Sequence, residues 1–119
     1  MAEHNELGKW GEEIAVRYLQ ERGYIIIERD WKSRKKDIDI VAIENGVYVF
    51  IEVKTRRNKL FGEPTNAVNH YKMQNLKLSI SNYIMAHSLN NEIRFDIITV
   101  VGKIGEVPEI EHLKDVSLM

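Results

Sequence analysis

The 119-residue sequence predicts an α/β domain in which a mixed β-sheet carries flanking helices, with the element order α-β-β-β-α-β. Three observations favour this class. Two segments have apolar residues at helical spacing. Four short segments are rich in β-branched residues, as strands are, and one Asn-Gly pair separates two of these strand segments. The length suits one domain spanning residues 1–119.

The N-terminal half is predicted to contain one helix and three strands. Residues 5–21 form the helix, because apolar residues recur there at helical spacing, and Gly23 ends it. The basic run 32–36 reads as a connector. The three strands lie at 24–31, 37–43 and 47–55.

The C-terminal half is predicted to contain a second helix and a fourth strand. A loop over 56–65, rich in basic residues, leads to a helix over 66–87 whose apolar stripe should face the sheet. RFDIITVV at 94–101 is the fourth strand, and the tail has a weak strand signal at 109–112.

Composition excludes several functional classes. The net charge of −1 predicts no partner, and the absence of cysteine excludes disulfides, thiolate zinc sites and cysteine nucleophiles. The polar N-terminus does not resemble a signal peptide, and no apolar run reaches the roughly 20 residues of a membrane helix. We therefore expect a cytoplasmic protein without membrane contact.

The second and third strands are predicted to form a hairpin. Asn45-Gly46 is a strong signal for a two-residue turn, since both residues tolerate positive φ. This turn places Glu44 opposite Val47 and fixes the register of the hairpin.

Counting back along the hairpin brings four charged residues together on one face. Asp39 then lies opposite Glu52, and Asp37 lies opposite Lys54. Two carboxylates about 4 Å apart repel by roughly 4 kcal/mol at an effective dielectric constant of ~20. Sharing a proton, exposure to water or a divalent cation would relieve this repulsion, and Mg²⁺ is commonly held by one or two carboxylates.

Lys54 is predicted to lie beside this cation, where an ammonium can orient water or stabilise charge on a phosphate. The alternative is a structural ladder of ion pairs. In that case Asp37 and Lys54 form a cross-strand salt bridge, and the other two carboxylates face solvent.

The motifs DIDIVA at 37–42 and FIEVKTR at 50–56 resemble the core of PD-(D/E)XK nucleases. With the flanking motifs, the chain resembles the YraN family of bacterial proteins, which is similar to archaeal Holliday junction resolvases and has a restriction-endonuclease-like fold. The flanking motifs are GKWGEEIA at 8–15, RGY at 22–24, FGEP at 61–64, Lys72 and RFD at 94–96.

This resemblance implies a metal-dependent phosphodiesterase site. Asp39 and Glu52 would bind magnesium or manganese (Mg²⁺ or Mn²⁺), Lys54 would assist catalysis, and a glutamate of the first helix would complete the site. Glu12 is our choice, because it borders the apolar stripe whereas Glu13 points toward solvent. A charge that stabilises the first turn of the helix is the alternative for Glu12.

The chain departs from the family pattern at one point. The family usually has Gly-Glu-Ile-Asp where this sequence has Lys36-Asp37-Ile38-Asp39. The metal-binding aspartate is retained, so the change affects substrate positioning more than metal binding.

Basic residues are predicted to surround the acidic centre and bind a phosphodiester backbone. A solvated run of charges is the alternative, and an ordinary lysine that keeps its charge in solvent is the alternative for Lys72. The residues are Lys32, Arg34, Lys35, Lys36, Arg56, Arg57 and Lys72.

The sequence therefore predicts a metal-dependent endonuclease that acts on nucleic acid, with branched DNA as the leading substrate. Two alternatives remain open: a non-catalytic nucleic-acid-binding module of the same fold, and a protein-interaction domain. The resemblance to junction resolvases also implies a two-fold homodimer.

Overall fold

The computed structural model describes residues 2–58 and 70–118. Helix α1 spans Ala2–Glu21 and α2 spans His70–Ala86. The strands are β1 Ile25–Trp31, β2 Ile38–Glu44, β3 Val47–Arg56, β4 Ile93–Val101 and β5 Glu109–Leu113. Five strands form one sheet in the order β1-β2-β3-β4-β5, so the weak signal near the C-terminus is a real edge strand.

The sheet is mixed, as predicted. β3 pairs in parallel with β4, and all the other neighbouring strands are antiparallel. α2 belongs to the crossover between β3 and β4, because parallel strands cannot be joined by a tight turn. The predicted helical segment 66–69 and the motif FGEP at 61–64 lie outside the described residues.

The two helices cover opposite faces of the sheet. Leu19 of α1 packs in one buried cluster with Ile40, Ile51 and other strand residues. Tyr83 of α2 packs in a second cluster with Phe50 and its neighbours. The alternation of β3 thus supplies apolar side chains to both layers of the core.

Local sequence signals explain how two elements end. Gly23 has φ +88° and follows α1, and the N–H groups of Gly23 and Tyr24 donate to the carbonyl groups of Gln20 and Leu19. This double bond pattern closes the helix as a Schellman motif. At the hairpin turn Asn45 and Gly46 both have positive φ, as a type I′ turn requires.

A buried polar network joins β4 to β5. Asp96 is fully buried and accepts hydrogen bonds from Arg94 at 2.8 and 2.9 Å, and His112 Nε2 lies 2.7 Å from its Oδ2. Arg94 and Asp96 thus form a structural salt bridge within this network. Among the described residues, no helix is both long and apolar enough to cross a membrane.

Candidate functional site

The candidate site lies where β2 and β3 separate. Their pairing extends to Ile40 and Ile51, and the next positions outward are Asp39 and Glu52, as the predicted register requires. Beyond this point Asp39 Oδ2 accepts a hydrogen bond of 2.9 Å from the backbone N–H of Val53. The Asp39 side chain therefore takes the place of a backbone carbonyl group as the acceptor for this N–H of β3. The hydrogen bond fixes the Asp39 carboxyl group between the two strands.

Glu52 is 3% exposed and has two very different carboxylate oxygens. Its Oε2 lies 3.0 Å from Lys36 Nζ and 3.2 Å from Lys54 Nζ. Its Oε1 is buried and has no hydrogen-bond partner among the described residues. A buried acceptor without a partner is destabilising by roughly 1–3 kcal/mol, so Oε1 is a position where a cation would be favourable.

Lys36 is held beside Glu52 by α2. The hydroxyl group of Ser79, a fully buried residue of that helix, lies 2.6 Å from the carbonyl oxygen of Lys36 and 2.9 Å from Ser33 Oγ. Burial opposes the charged form of Lys36, but the neighbouring carboxylates, Glu52 first and then Asp39 and Asp37, together outweigh it and raise the pKa of the ammonium group. The connector between β1 and β2 thus places a stable positive charge in the site.

Three carboxyl groups converge around Asp39. One oxygen each of Glu12, Asp30 and Asp39 lies within 4.8 Å of the others. The predicted pair of metal ligands was Asp39 and Glu52. In the structure Asp39 has Glu52 on one side and the other two acids of this cluster, Glu12 and Asp30, on the other.

Asp30 is the site residue that sequence reasoning missed. It lies one position beyond the Arg29–Ile40 pair and therefore opposite Asp39. A register shift between residues 26 and 28 creates this alignment, and the linker before β2 gives no sequence signal of it. Asp30 also has φ +50°, a conformation that Asp tolerates better than most residues.

The crowding of these acids shifts their ionisation. Burial, followed by repulsion from Glu52, raises the pKa of Asp39 to about 8. Burial, followed by the neighbouring Asp30, raises the pKa of Glu12 to about 7. Without a cation, therefore, Asp39 is mostly protonated at neutral pH and Glu12 is about half protonated.

The two glutamates of α1 have different environments, as predicted. Glu12 lines the cavity beside Asp39, whereas Glu13 is exposed. Arg29 Nη2 lies 2.7 Å from Glu13 Oε1 and 3.6 Å from Glu12 Oε1. Arg29 thus pairs with Glu13 and leaves Glu12 directed to the acidic cluster.

The cavity itself has a volume of about 370 Å³ and contains groups of both signs. Glu12 and Asp39 supply the acids, and Lys54, Arg56 and Lys72 supply the cations. Lys54 is the main cause of a lowered pKa at Lys72, because two like charges lie near each other. A negatively charged ligand here would relieve the repulsion between the cations.

One predicted contact is wrong. Asp37 does not face Lys54, because it precedes β2 and bonds within its own connector. Its carboxylate accepts hydrogen bonds from Lys32 Nζ at 3.0 Å and from the backbone N–H of Ser33 at 3.2 Å. Lys54 instead contacts Glu52.

The remaining basic residues are less closely tied to the cavity. Lys32, Arg34 and Lys35 are exposed on the connector. Arg57 lines a neighbouring groove rather than the cavity. The structure thus brings Lys36, Lys54, Arg56 and Lys72 to the acidic centre and leaves the others further out.

The donor set fits a hard divalent cation. Carboxylate oxygens are the ligands that Mg²⁺ and Mn²⁺ prefer. Glu52 Oε1, which has no partner within residues 2–58 and 70–118, and the raised pKa of Asp39 together mark a deficit of positive charge. Glu12, Asp30 and Asp39, whose oxygens lie within 4.8 Å of one another, could hold such an ion, with Glu52 next to Asp39 on its other side.

A mixed sheet between two helices, with this hairpin at its centre, defines an α/β protein with a restriction-endonuclease-like core. The chain belongs to the uncharacterised protein family UPF0102, which corresponds to the YraN family and whose model matches residues 11–100.

Relatives match almost the whole chain. A UPF0102 protein of Flavobacterium psychrophilum is 44% identical over 115 residues, which cover 97% of this chain and 96% of the relative. A UPF0102 protein of Phocaeicola vulgatus is 46% identical over 116 residues, covering 97% and 94%. One from Rhodococcus opacus is 39% identical over 116 residues, covering 97% and 98%.

Proposed function

We propose that this protein is an endonuclease that requires Mg²⁺ or Mn²⁺ and hydrolyses phosphodiesters of nucleic acid, with branched DNA as its leading substrate. The observation that carries the proposal is the Glu52 carboxylate: one oxygen contacts two lysines, and the other is buried with no partner in the part of the chain that the structure describes. Its neighbour Asp39 is the acid whose pKa is raised to about 8. Both features support a site that is complete only with a divalent cation.

The roles of the chain's own groups follow from their positions. A divalent cation supplies charge stabilisation for the phosphate and lowers the pKa of bound water. Lys54, whose ammonium group lies 3.2 Å from Glu52 Oε2, also lines the cavity and can donate to the attacked phosphate. Arg56 and Lys72 line the same cavity and can hold the neighbouring backbone. Hydrolysis adds water across one P–O bond of that backbone.

The test is cleavage of labelled four-way junction, flap, single-stranded and duplex DNA with Mg²⁺, Mn²⁺ or chelator. Glu52→Gln keeps the shape of the side chain but removes its charge, and it should abolish cutting. Glu92→Gln is the matched control, since Glu92 is exposed just before the N-terminal end of β4 and the site lies toward the other end of the parallel β3. Wild-type protein that cuts none of these substrates with either metal would refute the nuclease.

A non-catalytic nucleic-acid-binding module is the second candidate, and Lys36 favours it. Because Lys36 and Lys54 both contact Oε2, two ammonium groups already compensate the charge of Glu52. This candidate predicts DNA binding that is weakened by salt, indifferent to Mg²⁺ and equal in Glu52→Gln. The same substrates in a gel-shift assay distinguish the two candidates.

A further inference from the structure

A second groove adjoins the site cavity at the end of the sheet. It has a volume of about 340 Å³, and Arg57, Lys103 and Ile104 line it together with Glu6 and Leu7. Leu7 also lines the site cavity, so the two depressions share a wall. Cationic groups therefore continue from the cavity toward the turn between β4 and β5.

This turn, residues 102–108, is fixed to the strand that carries the site. The N–H of Gly102 donates a hydrogen bond of 2.9 Å to the carbonyl oxygen of Arg56, and the N–H of Glu106 donates one of 3.0 Å to Lys103. A Cβ at Gly102 would lie 3.4 Å from Trp10 of α1, so the turn also rests against the helix. Its position beside the site is thus set by hydrogen bonding and packing.

The tip of the turn presents apolar side chains to solvent. Ile104 is 55% exposed and Val107 is 95% exposed. Isolated apolar residues on a surface are ordinary. Ile104, however, lines the same groove as Lys103 and Arg57, and Val107 lies three residues further along the same turn. Cations that suit phosphates and apolar groups that suit base faces are therefore adjacent.

The two kinds of group select between forms of DNA. Lysine and arginine bind phosphates of any DNA. In a continuous duplex an apolar side chain reaches a base face only by unstacking a base step, at a cost of a few kcal/mol, whereas unpaired bases expose their faces without that cost. A turn with both properties favours a strand whose bases have separated from their partners.

We propose that the β4–β5 turn binds the DNA strand that leaves the cleavage site. Arg57 and Lys103 hold its phosphates, and Ile104 and Val107 cover bases that are unpaired. The turn is then the element that favours splayed or branched DNA over continuous duplex. This inference rests on the proposed function for the location of the scissile phosphate.

The test compares a splayed-arm duplex with a continuous duplex of equal length and label, by fluorescence anisotropy in chelator. The double variant Ile104→Ser/Val107→Ser should reduce the wild-type preference for the splayed substrate by about fivefold or more, because two aliphatic contacts with base faces are lost. Lys103→Ala should weaken binding to both substrates and reduce the salt dependence by about one phosphate contact.

Two matched controls separate these effects from general loss of charge or apolar surface. Met85→Ser removes an exposed apolar side chain near the end of α2, and Lys114→Ala removes a lysine just beyond β5, at the far end of that strand from the turn. Both should bind both substrates as the wild type does.

The outcomes distinguish the inference from the proposed function. A wild type without preference for splayed DNA, or a double variant with the wild-type preference, would overturn the role of the turn even if Glu52-dependent cleavage is found. Loss of the preference in the double variant, with no metal-dependent cleavage by the wild type, would support the turn and refute the nuclease.

Discussion

Raising the pH from 6 to 8 is expected to tighten Mn²⁺ binding strongly. Metal binding requires the ionised carboxylate, and the pKa of Asp39 is about 8. About 1% of Asp39 is then ionised at pH 6 and about half at pH 8, which corresponds to a ~50-fold gain in affinity, or ~2 kcal/mol. Glu12, with a pKa of about 7, adds to the dependence if it is also a ligand.

Isothermal titration calorimetry measures this directly. Mn²⁺ is titrated into the protein at pH 6, 7 and 8, each in two buffers of different ionisation enthalpy. At pH 7 about 0.9 proton should leave Asp39 for each ion bound, since that group is about 90% protonated there. Asp39→Asn should bind more weakly and lose most of this proton release.

Glu92→Gln is the matched control, because Glu92 is exposed just before β4, away from the end of β3 that carries the site. It should retain both the affinity and the proton release of the wild type. An Mn²⁺ affinity that changes by less than about twofold between pH 6 and 8 would refute the reasoning, because a ligand with a pKa near 8 must titrate across that range.

Three further predictions follow from the fold and the site. Without metal, the free energy of unfolding should fall by about 1 kcal/mol per pH unit between pH 5 and 7. In this range Asp39 keeps its proton in the folded state, where its pKa is about 8, but has lost it in the unfolded state, where its pKa is near 3.8. The stability that is fully present below pH 3.8 is therefore lost as the pH rises toward 8. Urea unfolding in chelator measures it, and a rising free energy would contradict it. Gly11→Ala should destabilise by about 1–3 kcal/mol in the same assay, since its Cβ would lie 2.9 Å from Thr55 Cγ2 and closer still to Oγ1. The double variant Gly11→Ala/Thr55→Gly should recover most of the loss, and an unaffected single variant would disprove the clash. Asp96→Ala should cost about 3 kcal/mol, because it removes the buried acceptor shared by Arg94, His112 and the Asp115 backbone N–H, although Glu44 still pairs with Arg94. A loss below about 1 kcal/mol in urea unfolding would count against the network.

The hairpin was the most predictable part of the site, because its determinants are local. Asn45-Gly46 fixes the turn, and the turn fixes every pair up to Ile40 and Ile51. The opposed positions of Asp39 and Glu52 follow from this counting. The metal, the activity and the DNA substrate remain predictions.

The incorrect predictions concern residues at which the regular strand pairing, and hence the cross-strand register, no longer holds. Asp37 was placed opposite Lys54 by continuing the ladder, but the strands separate after Ile40, and Asp37 instead bonds to Lys32. Asp30 was missed because a bulge in β1 shifts its register by one residue. Bulges and strand separation depend on tertiary packing, so the neighbouring residues alone do not reveal them.

The contact of Lys36 with Glu52 was also beyond sequence reasoning. The prediction placed Lys36 on a cationic rim that binds substrate. Its ammonium group is instead directed to the buried carboxylate, and a hydrogen bond from Ser79 of α2 to its carbonyl group fixes the backbone there. Lys36 and Ser79 are far apart in sequence, and nothing in either segment indicates the hydrogen bond between them.

The hydrogen bond from Val53 to Asp39 makes one backbone amide a built-in spectroscopic probe. A carboxylate is a stronger acceptor than a carboxylic acid, so the amide proton resonance of Val53 senses the charge of Asp39. A ¹⁵N-labelled sample would therefore report protonation or ion binding through a single peak, without any substrate. The same bond links occupancy of the site to hydrogen exchange at the open end of the hairpin, where solvent could otherwise reach the β3 backbone.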